Sequence, residues 1–120
     1  MKTNYLLAVT LSLFAIIIAC KKTSTSTTYD CTSITPTYTT DVKPIMDVSC
    51  ATSNCHSASA KANGKDYSSY ASTKTLATNK AYLGSMQHLS GYNAMPKGAS
   101  KLSDANLQKI YCWIQNGTPQ

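Results

Sequence analysis

Apolar residues recur along most of the chain at the spacing of a helix rather than of a strand. Val42 and Ile45 share one face of a first predicted helix. Thr40 or Asp41 can cap its start, and Pro44 lies in its opening turn, where a missing backbone N–H breaks no hydrogen bond. The pattern therefore predicts a short helix that ends close to residue 50.

The last apolar segment gives the clearest helix. Leu107, Ile110 and Ile114 lie on one face at helical spacing. Ser103 stands just before this segment and is a favoured N-cap residue, while Gly117 stands just after it, where a helix often ends in a left-handed residue. We therefore expect a terminal helix between these two residues.

Two weaker helical segments lie between the first and the last. Asp66 can cap one that carries Tyr70, and Tyr82 and Met86 share a face in another, over residues 79–89. Serine and threonine dilute both patterns. Because no alternating run or hairpin dipeptide indicates paired strands, we expect an all-α fold.

The first residues form a different kind of segment. A positive start precedes an apolar run over residues 5–19, which is short for a membrane span and has the layout of a secretory signal. The run closes on the sequence IIAC, ending at Cys20, and resembles the lipobox of bacterial lipoproteins. The resemblance implies that residues 1–19 are removed and that Cys20 is acylated. A plain signal peptide with an incidental cysteine, or an uncleaved anchor, is the alternative.

The lipobox resemblance also implies a location. The protein would be exported and held on a bacterial membrane by its lipid anchor. Lys21, rather than aspartate, follows Cys20. This resembles lipoproteins sorted to the outer membrane, so we expect the domain to face the periplasm from that membrane.

The segment that follows the anchor is expected to be a linker. Residues 20–38 are rich in serine and threonine and lack helical periodicity, which is typical of a flexible tether. The remaining residues, 39–120, then form one small domain. A core of this size seldom stabilises itself alone, and such domains usually add disulfides, metals or cofactors.

The charged residues exclude some partners. The 120-residue chain has a net charge of +6, and it contains neither arginine nor glutamate. Loss of Lys2 with the signal would leave ten lysines and five aspartates, a net charge of +5. Because arginine dominates contacts to bases and phosphates, we expect no nucleic-acid partner. The scattered lysines form either an ordinary solvated surface or a docking face for an acidic redox partner.

The residues with the most distinctive chemistry are Cys50 and the pair Cys55-His56, which follows after four intervening residues. Two thiols can form thioethers with the vinyl groups of haem, and a histidine directly after the second cysteine can bind the iron. The usual attachment spacing is C-x-x-C-H, so this loop is two residues longer. The alternative is a small disulfide loop beside a surface histidine.

The order of segments resembles that of class I cytochromes c. A helix, a loop closed by Cys50 and Cys55-His56, short helices, Met95-Pro96 and a terminal helix follow one another over about 80 residues. The resemblance implies a bundle of three to five helices around one covalent haem c. It implies thioethers from both cysteines, with His56 and Met95 as the axial ligands of the iron. It also implies that the first and last helices cross. The longer loop between the cysteines departs from the family pattern.

Other side chains compete for the sixth position on the iron. A thioether favours ferrous iron, so a histidine–methionine pair raises the reduction potential relative to two histidines. Met86 and His88 are the alternatives to Met95, with Met46 less favoured, and an open or labile sixth position is a further alternative. Methionines at helical spacing are more often core residues than ligands, and we therefore expect Met46 and Met86 to pack in the core.

Two further cysteines need a partner in an oxidising compartment. If lipid takes Cys20 and haem takes Cys50 and Cys55, Cys31 and Cys112 remain. The helix crossing implied by the resemblance would allow a disulfide between these two within one chain. Intermolecular pairing through Cys31 is the alternative.

Together these features predict an electron carrier rather than an enzyme. The sequence has no glutamate and only two histidines, and it offers no serine–histidine–aspartate set. The expected partners are redox proteins of unidentified type and, through the anchor, a membrane. Two haem-free alternatives remain: a copper or zinc site built from Cys50, Cys55, His56 and methionines, and a structural domain held by disulfides.

Overall fold

The computed structural model describes residues 25–120, and the predicted signal and Cys20 lie outside them. Within the described residues there are helices and no strands, so the all-α expectation is confirmed. The α-helices are α1 (Lys43–Ser49), α2 (Tyr70–Ala77), α3 (Lys80–Met86) and α4 (Asp104–Gln115).

The first helix begins earlier than its sequence pattern predicts. A π-helical turn, Tyr38–Val42, leads directly into α1. The Oγ1 atom of Thr37 accepts a hydrogen bond from the Thr40 N–H and caps this turn. The predicted cap at Thr40 or Asp41 was therefore wrong by three or four residues, because Asp41 instead accepts from the N–H of Thr37, at 3.1 Å.

The terminal helix has the ends that its sequence predicts. Ser103 accepts a hydrogen bond from the N–H of Asn106 and so caps the start of α4. Gly117 follows the helix with a φ of +84°, in the left-handed region that glycine enters without a steric penalty. Leu107, Ile110 and Trp113 are fully buried.

The first and last helical elements pack together. The ring of Tyr38 lies 6.0 Å from that of Trp113, measured between centroids. Lys109 and Asp41 form an ion pair at 3.2 Å. The N–H of Tyr38 also donates to the carbonyl of Pro119, at 3.0 Å, which attaches the C-terminus to the first element.

The two middle helices follow each other closely. Ser69 caps α2 and Asn79 caps α3, each by accepting a hydrogen bond from a backbone N–H two or three residues later. Asp66, the predicted cap of α2, instead accepts from the N–H of Ser68 in a local turn. The predicted third helix, 79–89, is shorter in the structure because the chain leaves the helix after Met86.

Part of the predicted tether lies against the helices. Cys31 and Cys112 form a disulfide, with their Cα atoms 5.4 Å apart, which agrees with the expected pairing within one chain. The Gln87 side chain donates to the carbonyl of Thr27 at 2.8 Å, and the ring of Tyr29 packs edge-on against that of Tyr111. Among residues 25–120, no helix combines the length and the apolar character needed to cross a bilayer.

Candidate functional site

The loop from Cys50 to His56 begins where α1 ends. The N–H of Cys50 bonds to the Met46 carbonyl at 2.9 Å, which continues the helical pattern by one residue. The N–H of His56 then bonds back to the carbonyl of Cys50 at 3.0 Å, so the six-residue excursion closes on its own start. The four residues between the cysteines therefore form a closed loop rather than an extended one.

A backbone carbonyl orients the His56 ring. The Nδ1 atom lies 3.2 Å from the Lys65 carbonyl oxygen. Because a carbonyl oxygen can only accept, this bond needs the proton on Nδ1, and the neutral ring then keeps its lone pair on Nε2. A bond of this kind is the usual partner of a metal-binding histidine, since it fixes both the tautomer and the ring orientation.

An aromatic ring supports the same histidine. Tyr67 packs edge-on against His56, with centroids 5.0 Å apart, and its N–H donates to the His56 carbonyl at 2.8 Å. The Oγ1 atom of Thr73, in α2, donates to the carbonyl of Tyr67. All three residues are buried. The ring of His56 is thus held by the segment 65–73, and no pattern in the sequence links this segment to the histidine.

The two cysteines of the loop are unpaired but differ in environment. Cys50 is buried and Cys55 is exposed. Burial raises the pKa of the Cys50 thiol from 9.0 to about 11, and the nearby Cys55 adds to the shift. The loop therefore presents one solvent-facing thiol and one that sits at the edge of the core.

Tyrosine and methionine side chains fill the core next to Cys50. Tyr82 donates from its hydroxyl to Met46 Sδ, at 3.3 Å, and its ring packs against that of Tyr67. Burial raises the pKa of Tyr82 well above its ordinary value and that of Tyr67 to about 12. Met46 and Met86 are buried, as expected for core residues.

The loop that carries Met95 is attached to the end of α3. The N–H of Met95 donates to the Ser85 carbonyl at 3.0 Å. The carbonyl oxygen of the same residue, Met95, lies 3.1 Å from Nε2 of His88. His88, an alternative ligand in the sequence, is therefore engaged with the backbone of Met95.

The structure brings some predicted residues together and leaves others apart. Cys50, Cys55 and His56 share one closed loop, and Cys31 and Cys112 are bonded. Among residues 25–120, no hydrogen bond or ring contact joins His56 to Met95. Across the same residues, histidine, cysteine and acidic side chains form no group of three that could hold a bare metal ion.

These donors have the chemistry that covalent haem requires. Two unpaired thiols lie in one loop, whereas the other cysteines among residues 25–120 form a disulfide. The adjacent histidine keeps Nε2 for a metal because Nδ1 is engaged. The residues present therefore fit the group that the sequence resemblance implies.

Sequence reasoning missed several residues that shape this region. Lys65 contributes a backbone carbonyl, which any residue could supply, so no side-chain signal marks it. Ser85 acts on Met95 in the same way. Gly84 differs from these two residues, because a glycine inside a helical pattern often marks a place where another group packs closely. The sequence alone could therefore have indicated that Gly84 is a contact position.

Comparisons with models of known protein families, with curated proteins and with solved structures found no match to this chain.

Proposed function

We propose that this protein is an exported, lipid-anchored c-type cytochrome that carries electrons between redox partners. It binds one haem c through thioethers from Cys50 and Cys55, with His56 and Met95 as axial ligands. The anchor is Cys20, which lies outside the described residues. The helices form a cytochrome c-like bundle around the cofactor.

The observation that carries this proposal is the state of the loop from Cys50 to His56. Its two thiols are unpaired, and its histidine has Nδ1 engaged with the Lys65 carbonyl. An exported domain that needed these cysteines only for stability would be expected to pair them, as it pairs Cys31 with Cys112.

The chain's own residues have defined tasks in this function. Lys65 and Tyr67 hold the His56 ring, which keeps the Nε2 lone pair available for iron. Ser85 and His88 hold the backbone of Met95. When bound, the haem supplies a reversible one-electron couple, whose potential is raised by a methionine ligand.

A visible spectrum tests the proposal. The full chain is produced with its signal in a host that has haem-attachment machinery, and the reduced spectrum is recorded before and after acid-acetone extraction. We expect a sharp alpha band that survives extraction, because thioethers keep the haem on the polypeptide. Colourless protein with Cys50 and Cys55 oxidised to a disulfide would support the haem-free structural alternative instead.

Variants then assign the attachment residues. Cys55→Ser and His56→Ala should each abolish stable haem incorporation and lower the thermal stability of the domain, since the cofactor forms part of its core. The matched control is the double variant Cys31→Ser/Cys112→Ser, which removes two other cysteines and should retain haem. Normal haem content in both test variants would refute the assignment.

A further inference from the structure

Gly84 lies inside α3 and is covered by an aromatic ring. The side chain of Tyr92 packs directly on it: a Cβ atom at Gly84 would lie 2.6 Å from Cδ2 and 2.7 Å from Cε2 of that ring. Nonbonded carbon atoms settle at about 3.5–4.0 Å. No side chain larger than hydrogen therefore fits at position 84 while Tyr92 keeps its place.

The other glycines among residues 25–120 do not share this feature. Gly64, Gly91, Gly98 and Gly117 have open space where a Cβ atom would be, and each has a positive φ. Their role is to allow a left-handed turn. Gly84 has no such conformational reason, and glycine inside a helix costs about 1 kcal/mol relative to alanine. The close approach of Tyr92 explains why glycine stands there.

Tyr92 belongs to the loop that carries Met95. The chain leaves α3 through His88 and reverses direction, and the N–H of Leu89 bonds back to the Gly84 carbonyl at 2.9 Å. The N–H of Tyr92 bonds to the carbonyl of Leu89 at 3.2 Å, and that of Met95 to the carbonyl of Ser85 at 3.0 Å. The loop is thus attached by hydrogen bonds to Gly84 and Ser85, two neighbouring residues of α3, and the ring of Tyr92 covers Gly84.

We propose that Gly84 and Tyr92 form a clamp that positions Met95. Tyr92 is 39% exposed, so its ring contributes little to the buried core. Its ring lies directly on Gly84, and this contact holds the loop 88–95 against α3. The consequence for iron ligation rests on the proposed function, whereas the clamp itself does not. Gly84 and Tyr92 are positioning residues that act through the backbone of Met95.

Hydrogen exchange on the purified full-length protein tests the clamp. Gly84→Ala displaces the ring, and Tyr92→Ala removes it. In both variants we expect the Leu89 and Met95 amides to exchange about tenfold faster or more, because their bonds to α3 open locally. Amides in α4, such as that of Ile110, should be unchanged. Tyr92→Phe is the matched control, since it keeps the ring, and it should exchange like the wild type.

A double variant separates this contact from general damage. Once Tyr92→Ala has removed the ring, Gly84→Ala no longer meets a clash. The double variant should therefore exchange no faster than Tyr92→Ala alone. If Gly84→Ala fails to fold, Tyr92→Ala still tests the clamp. The clamp would be overturned if the two substitutions increased the exchange rates multiplicatively in the double variant. It would also be overturned if the Met95 amide exchanged no faster in Tyr92→Ala than in the wild type.

A spectrum of the same samples tests the link to the iron. In protein with attached haem, Gly84→Ala and Tyr92→Ala should weaken the near-infrared band of Fe(III)–methionine ligation, and Tyr92→Phe should not. An unchanged band beside faster exchange would overturn the positioning of the ligand. Colourless protein in which the exchange still rises would support the clamp and refute the cytochrome.

Discussion

At the scale of single residues, the two loop cysteines show how burial divides chemically identical groups. Cys55 faces solvent, whereas Cys50 is held at the end of α1, beside Tyr67 and Tyr82. A thiol reacts as its thiolate, and burial disfavours that charged form. We therefore expect the exposed thiol of Cys55 to react faster than the buried thiol of Cys50.

Alkylation of the haem-free chain checks this difference. With iodoacetamide at pH 8, we expect Cys55 to react at least about tenfold faster than Cys50, because the pKa of Cys50 is raised from 9.0 to about 11 by burial. The Cys50 rate should keep rising with pH until about pH 11. Quantitative peptide mapping measures both rates, and equal rates in the folded protein would contradict the burial of Cys50.

The same raised pKa has a consequence for stability. The folded state favours the neutral Cys50 thiol more than the unfolded state does. Its contribution to the free energy of unfolding is therefore fully present below pH 9, the ordinary pKa of a cysteine thiol. It should be lost as the pH rises towards 11. Cys50→Ala should flatten this alkaline part of the stability curve in urea denaturation of the haem-free chain. A wild-type curve without any alkaline loss would argue against the buried thiol.

The distal ligand can also be tested residue by residue. Met95→Ala should keep covalent haem, lower the reduction potential and remove the near-infrared band, since only the thioether is lost. His88→Gln is the suitable comparison because glutamine can still donate to the Met95 carbonyl. We expect its band to persist. A wild-type spectrum that lacks this band, and that changes in His88→Gln but not in Met95→Ala, would assign the ligand to His88.

At the scale of elements, local hydrogen bonds decide where helices begin. Ser103 and Thr37 both cap with their side-chain oxygens, but only the first was predicted. Ser103 stands directly before a clear apolar period. Thr37 precedes a π-helical turn, where the usual spacing does not apply. The apolar period of α1 therefore placed the helix correctly and its start wrongly.

Removing the cap of α4 should have a measurable cost. Ser103→Ala leaves the N–H of Asn106 without its partner and should lower the free energy of unfolding by about 1 kcal/mol. Ser100→Ala, at an exposed position just upstream, is the control and should change it by less than about 0.5 kcal/mol. Urea denaturation measures both, and an equal effect of the two changes would refute the cap.

At the scale of the whole molecule, the disulfide joins the upstream segment to the last helix. Cys31 and Cys112 are 81 residues apart in sequence, so their bond closes most of the domain into one loop. Hydrogen bonds at Gln87 and Gln108 attach residues 27 and 30 to the same surface. Residues 27–31 therefore lie against the domain rather than in a free linker.

Loss of this bond should destabilise the domain without removing its haem. Closing so long a loop stabilises by about 3–5 kcal/mol in the chain-entropy model. We expect the double variant Cys31→Ala/Cys112→Ala to lose stability in that range and to keep the alpha band. Non-reducing peptide mapping of the wild type should yield one crosslinked pair. A dimer that dissolves on reduction would show intermolecular pairing instead.

The sequence alone determined those features that depend on neighbouring residues. It predicted the all-α class, the ends of α4 at Ser103 and Gly117, and the burial of Met46 and Met86. Caps and apolar faces act within one or two turns, so their residues lie close together in the sequence. The pairing of Cys31 with Cys112 was also predicted, but only with help from the family resemblance.

Contacts between residues far apart in the sequence depend on how the chain folds back on itself. The Lys65 carbonyl on His56, the ring of Tyr92 on Gly84 and the bond from Met95 to α3 all join residues of different elements. Two of these contacts use backbone atoms, which every residue possesses, and the third depends on an absent side chain. Such contacts leave little trace in a single sequence, because their residue types are common and their partners are set by how the chain folds back.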